Sequence, residues 1–295
     1  MLTSETDYIQ LVHWQPLANE HRNEVRKWTV PYRRRKASHQ QHPVLDFLFT
    51  YYPFSLGKLE QWHPGYGTKL ESTEKLHHKF KSKHYQDCNQ SITLTTDALS
   101  DKEIKRLRWI HNLLCLSQTR NPNFACHGLH EWAMVYQGQN IRHSESTKLR
   151  LPQKQIDKLV ASRPITCSHF DAYRFFSPAA IELNKLKPTL DSRQDFEQCG
   201  CLHTNMDLYK WASKCMPWVG SKLLWDCFQL ALKARELDMR ASPYDLSEYG
   251  YEPVAIETEQ GRKQYEILQR QISKESTPLR QQLIDTLARV IQACA

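Results

Sequence analysis

Most apolar residues of this chain recur at intervals of three and four, the period of a helix, and few alternate as a strand requires. Ser100 opens the clearest case. Asp101 and Glu103 occupy the first turn, and Ile104, Leu107, Ile110, Leu113 and Leu114 then form one stripe. Tyr8 to Trp28 predicts a helix with Ile9, Leu11, Val12 and Trp14 on its apolar side, interrupted at Pro16 and stopped by Pro31 and the Arg33–Lys36 run. Val44 to Tyr52, Cys126 to Tyr136, Ser177 to Leu186, Asn205 to Cys215 and Ser221 to Arg240 also predict helices. Two C-terminal helices are expected, Glu259 to Ile272 and Thr277 to Ala293.

Val254 to Thr258 is the clearest strand candidate. Gly57 to Thr68 is a turn-rich loop, and Leu76 to Thr96 is expected to be an exposed connection and the region most open to disorder. The predicted fold class is mainly α: a single compact helical domain with at most a small sheet, behind a basic N-terminal region. The expected division is 1–40 for that basic region and 41–295 for the main domain, with the exposed connection over 70–98.

Composition changes this picture in three ways. A hydrophobic fraction of 40% and a charged fraction of 24% are those of a globular chain. No apolar run approaches the roughly 20 residues of a membrane span. Met1 to Gln10 lacks the basic and apolar regions of a signal peptide, so a cytoplasmic protein with no membrane partner is expected. Nine cysteines, an odd number in a chain of 295 residues, fit reduced thiols rather than a disulfide framework. Cys199-Gly200-Cys201 lacks the two-residue gap of a zinc knuckle.

The net charge of +8 is concentrated. Arg22, Arg26, Lys27, Arg33, Arg34, Arg35 and Lys36 stand against the single acid Glu24, and Lys75, Lys79, Lys81 and Lys83 form a second acid-poor run with His77, His78 and His84. Such runs suit a phosphate backbone, with Arg33, Arg34, Arg35 and Lys36 as the candidate contacts.

Five segments hold residues that an apolar core excludes. Cys126–Tyr136 puts His127, His130 and Glu131 on one helix face. Cys167–Phe176 offers His169, Asp171 and Arg174 among aromatics; Cys201–Trp211 places His203 and Asp207 four apart, with Asn205, Tyr209 and Trp211 nearby. Leu237–Ser247 supplies Asp238, Arg240 and Asp245, and His42–Tyr52 with Trp62–Gly65 repeats the mixture. Buried charges and imidazoles are costly unless paired, so a polar interior on this scale implies a task.

Two tasks fit. The first is excision of an alkylated base from DNA. The base is extruded and stacked on aromatic faces while a carboxylate stabilises the cationic sugar or activates water. Asp171 or Asp245 is then the carboxylate, with His130, His169, Glu131, Asp207 and Arg240 as the remaining catalytic candidates. Tyr51, Tyr52, Trp62, His63, Arg174, Phe175, His203, Asn205, Tyr209 and Trp211 are the substrate-binding candidates. No cofactor and no obligatory protein partner are expected on that reading. The second task is metal-dependent hydrolysis or oxygenation of a small molecule, with His130, His169 and His203 holding a transition metal. The chain has no HExxH motif.

The strings HPVLDFLFTYY (42–52), GLHEWAMVY (128–136), CSHFDAYRFF (167–176), GCLHTNMDLYKW (200–211) and LDMRASPYDLS (237–247) resemble those of a bacterial family commonly labelled 3-methyladenine DNA glycosylase. The resemblance runs from about His42 to Glu257 and implies DNA base excision on alkylated purines. The Gly-rich hairpin and following Asp of helix–hairpin–helix glycosylases are absent; His63-Pro64-Gly65-Tyr66-Gly67 does not match them.

Overall fold

A computed structural model describes residues 7–73, 80, 82–138 and 147–294. It is mainly helical with one small sheet, as the periodicity predicts. The helices are α1 (Leu11–Ala37), α2 (Phe47–Tyr51), α3 (Leu56–Glu60), α4 (Asp101–Thr119), α5 (Leu129–Met134), α6 (Gln153–Ala161), α7 (Phe170–Tyr173), α8 (Pro178–Ile181), α9 (Arg193–Phe196), α10 (Leu202–Lys214), α11 (Gly220–Arg240) and α12 (Glu259–Gln292). The strands are β1 (Asp7–Ile9), β2 (Thr68–Glu71), β3 (Tyr85–Asp87) and β4 (Ser91–Leu94). They form two compact units, Met1–Asn112 with Tyr209–Phe228 and Leu279–Ala295, and Leu113–Leu208 with Gln229–Pro278. The N-terminal helix belongs to the first unit.

In the first unit, α1 runs through both Pro16 and Pro31 instead of breaking at either. Each proline costs a hydrogen bond, but Trp14, Val25, Thr29 and Tyr32 are buried and anchor the helix at its start and over its second half. Val12, expected on the apolar side, is exposed. Part of the expected 70–98 connection is sheet. The strand order is β1-β2-β4-β3, with β1 parallel to β2 and the other pairs antiparallel. Asn89 and Gln90 both have positive φ, which is the backbone of a tight hairpin turn between β3 and β4. Leu70, Ile92 and Phe80 bury one face of the sheet against Trp14, and Trp62 stacks on Trp14 at 6.0 Å. The strands are short, so their alternation covers too few residues to register as a pattern. Residues 74–79 and 81, part of the region expected to be disordered, lie outside the described residues.

The turn-rich loop after α3 docks through two glycines. A side chain on Gly220 (φ +74°) would meet the Pro64 carbonyl oxygen at 2.9 Å, and one on Gly65 (φ +93°) would meet Gly220 at 3.3 Å. The close approach lets His63 and Ser221 exchange hydrogen bonds, Ser221 N to His63 O at 2.9 Å and His63 N to Ser221 Oγ at 2.8 Å.

In the second unit, Val254–Thr258 is not a strand. Val254 and Ile256 are buried and their neighbours are not, so the alternation is real. The segment instead lies against Gly261, where an added Cβ would overlap the Ala255 carbonyl, and Val254 N bonds to Arg240 O at 2.8 Å. A further difference concerns α12, which is one helix through Pro278 rather than two. Ser276 and Thr277 hydroxyls donate to Ser273 O beside the proline, at 2.7 and 3.0 Å.

Candidate metal centre

The second unit holds a buried polar network built from short-range spacing on α5, α10 and α11. Leu129, Trp132 and Ala133 bury α5 completely, and His130 and Glu131 are carried into the interior with them. On α10, His203 and Asp207 are one turn apart, and on α11 the same spacing rule puts Arg235 and Asp238 together. His130, Glu131, His203 and Asp238 each present a ligand atom, all within 4.8 Å of one another. His169, Glu197 and Asp207 form a second such group.

Asp238, with no exposed surface, organises the first group. His130 Nε2 meets its Oδ1 at 2.8 Å, Arg235 donates to Oδ2 at 2.9 Å, and His203 Nε2 stands 3.7 Å from Oδ2. Burial works against the Asp238 carboxylate, yet His203, His130 and Arg235 hold it well below the usual carboxylate range. Burial and the neighbouring Asp238 push Glu131 the other way, up to about 7. The imidazoles also diverge. His130 rises well above its ordinary value because Cys126 and Asp238 outweigh burial, whereas burial takes His203 down to about 3.

In the second group, His169 Nε2 meets Asp207 Oδ2 at 3.2 Å and lies 3.9 Å from Glu197 Oε1. Its Nδ1 is buried without a hydrogen-bond partner among the described residues. Arg193 reaches Asp171, Glu197 (3.6 Å) and Asp207 (3.8 Å); burial opposes its charge, and the three carboxylates reverse that effect and raise it. The two groups adjoin at His203, whose ring lies 4.5 Å from that of His130 and 5.4 Å from that of His169. The three histidines thus stand in a row, with His203 between two ligand groups rather than in one set of three.

Comparison with protein-family models, with curated proteins and with solved structures finds no match.

Other expected site residues lie elsewhere. Asp171 is held by Arg193 and by Arg174 at 3.2 Å, and Arg174 is exposed over Phe175. Asp245 is an exposed turn residue that accepts from Ser247 N at 3.0 Å. Arg240 bonds to Glu252 O and pairs with Glu236. Asn205 is buried between Cys199 O and the Ser276 hydroxyl. In the first unit, Tyr52 and Tyr209 pack edge to face in the core, Trp211 packs on Trp109, and Tyr51 stacks on Phe47. His63 bonds to Tyr85 Oη at 2.8 Å and Trp62 belongs to the sheet's core.

The basic run is largely engaged within the first unit. Arg33 pairs with Glu60 at 2.6 Å, Arg26 reaches the same carboxylate at 3.6 Å, Arg35 clamps Asp46, and Lys27 pairs with Glu24. Arg34 and Lys36 are exposed in the last turn of α1, where cations complement the helix dipole. Lys83 is taken by Glu103 at 2.7 Å. Among the described residues no helix is long and apolar enough to cross a membrane, and all nine cysteines are free.

Glu197, Arg193 and Arg235 escaped the sequence reading. Arg193 and Glu197 have the i, i+4 spacing of an ordinary exposed pair. For Arg235 a signal was present: a charge three residues from Asp238 within the apolar stripe of Leu224, Phe228, Ala231 and Ala234.

Proposed function

We propose that this protein is a metal-dependent enzyme that acts on a small molecule as an oxygenase or hydrolase. The observation that carries the proposal is the convergence of His130, Glu131, His203 and Asp238 ligand atoms within 4.8 Å. Ligands bound at about 2.1 Å on opposite sides of one ion lie about 4.2 Å apart, so a set within 4.8 Å needs to draw in by only about half an ångström to form a single coordination sphere. Imidazole and carboxylate donors suit iron, manganese or zinc. His130, His203 and Asp238 supply the two-histidine, one-carboxylate combination of non-haem Fe(II) oxygenases, which favours the oxygenase. The adjoining His169, Glu197 and Asp207 have the composition of a second position, and facing helices that project carboxylates and imidazoles inward are how helical proteins house paired metals. When bound, the metal would supply Lewis-acid or redox chemistry. The protein's own part is orientation: Arg235 fixes the second oxygen of Asp238, and Arg193 holds Glu197, Asp207 and Asp171 together.

Elemental analysis of protein purified without chelators tests the proposal. A transition metal near stoichiometry, lost in His203→Ala and Asp238→Ala variants whose far-ultraviolet dichroism is unchanged, is the expected result. A protein that takes up no Fe(II), Mn(II) or Zn(II) above the His203→Ala control overturns it. Release of base from alkylated DNA by metal-free protein, abolished by Asp171→Asn, would establish base excision in its place.

A further inference from the structure

The first unit contains a cavity of about 550 Å³ that the metal centre leaves unexplained. Its volume is in the range of small-molecule sites, which run to roughly 300–1,000 Å³. Four cations line it, Lys58 at the end of α3, Arg106 on α4, and Lys210 and Lys214 on α10. Lys210, Ser213 and Lys214 share one helix face because they are three and four residues apart. No carboxylate lines the cavity among the described residues, and Lys58, Arg106 and Lys214 have no carboxylate partner there. Like charges brought together without acids raise the potential of a concave site and concentrate anions in it.

The remaining lining has a different character. Phe54 offers a half-buried ring, and the buried Tyr52 and Phe80 close part of the wall. His84 is nine-tenths buried; its Nε2 reaches Glu103 at 3.3 Å and its Nδ1 has no hydrogen-bond partner among the described residues. His63 is pushed down to about 4 by burial, so it lines the cavity as a neutral imidazole.

From this lining we infer that the cavity binds a phosphomonoester carrying an aromatic ring, of the nucleoside monophosphate class. The phosphate takes the lysine and arginine groups, which match its charge. The ring takes Phe54, since base–aromatic stacking is tolerant of base identity. The same chemistry is offered by a free mononucleotide and by the 5′-phosphorylated end of a strand.

Isothermal titration of the full-length protein with AMP, adenosine, inorganic phosphate and a 5′-phosphorylated DNA decamer decides the question. AMP is expected to bind at least about tenfold more tightly than adenosine and than inorganic phosphate, with the affinity falling as ionic strength rises. Lys58→Glu and Lys214→Glu substitute exposed residues and leave the fold intact; the double variant is expected to lose AMP binding by about tenfold or more. Phe54→Ala is expected to weaken AMP but not inorganic phosphate. Tighter binding of the 5′-phosphorylated decamer than of AMP, reversed when the decamer has a 5′-hydroxyl, identifies a strand end as the source; the opposite order identifies a free nucleotide. Equal affinity for AMP and adenosine, or AMP binding unchanged in the double variant, overturns the inference. So does the absence of binding by any of the four probes.

Discussion

His130 Nε2 lies 2.8 Å from Asp238 Oδ1, and neither side chain is accessible to water. Asp238 also accepts from Arg235, so one carboxylate balances two buried cationic groups. Removing it takes the nearest counter-charge from both. Asp238→Ala is expected to destabilise the protein by about 3–5 kcal/mol, the cost of an uncompensated buried charge. Asp238→Asn keeps one acceptor oxygen and the side-chain volume, and should cost less than the alanine variant. Urea denaturation of the two variants checks the order; equal losses would show that the lost charge alone, and not the acceptor or volume that asparagine keeps, sets the effect.

Metal binding to the folded state alone must also raise stability. At a free ion concentration about 100 times the dissociation constant the gain is about 2.7 kcal/mol. Thermal unfolding with and without a chelator should therefore show a higher Tm for the loaded protein, and the difference should vanish in His203→Ala. His169→Ala should remove only the part contributed by the His169, Glu197 and Asp207 group.

The site's location was legible from composition, and its wiring was not. His130, His169 and His203 stood out because imidazole beside carboxylate is unusual in an apolar helix. Which partner each takes depends on residues far apart in the chain: His130 and Asp238 are 108 positions apart, and His169 and Asp207 are 38 apart. Aromatic residues misled for a related reason. Tyr209 packs edge to face on Tyr52 in the core, where hydrophobic burial accounts for it. Helical periodicity located most of the long helices, because long stripes average out local exceptions. It misplaced breaks at Pro16, at Pro31 and between Ile272 and Thr277; Thr29 and Tyr32 are buried around Pro31, and Ser276 and Arg280 around Pro278, which outweighs one missing hydrogen bond there.

Gly220 tests how much of the first unit depends on one close approach. Alanine there must adopt φ +74° and place its Cβ 2.9 Å from the Pro64 carbonyl oxygen. The left-handed backbone alone costs roughly 1–2 kcal/mol, and the contact adds to it. Gly220→Ala should lower the urea midpoint, while Gly57→Ala, with open space around the added methyl, should not.

The start of α4 supplies a prediction with a definite sign in pH. Glu103 Oε2 accepts from Ser100 N at 2.9 Å, from Ser100 Oγ at 2.6 Å and from Lys83 Nζ at 2.7 Å; Glu103 N in turn donates to Ser100 Oγ at 3.4 Å. This is the reciprocal cap of a helix N-terminus. The Lys83 and Ser100 hydrogen bonds bring Glu103 down to about 2, below the unfolded carboxyl value of about 4.3. Because the folded value is the lower one, the unfolded chain binds the proton first as the pH falls. The stabilisation is complete above about pH 5 and declines progressively between about pH 5 and pH 2. Glu103→Gln removes the titrating group, so the difference in stability between wild type and variant should shrink as the pH is lowered through that window. Ser100→Ala should cost about 1 kcal/mol at neutral pH through loss of the cap, and should lessen the same pH dependence by removing the hydroxyl bond to Glu103 while the Ser100 N–H and Lys83 bonds remain. Denaturation curves for the three proteins at pH 7, 5 and 3 measure both effects; a Glu103→Gln difference that grows on acidification would show that the carboxylate is not the stabilising form.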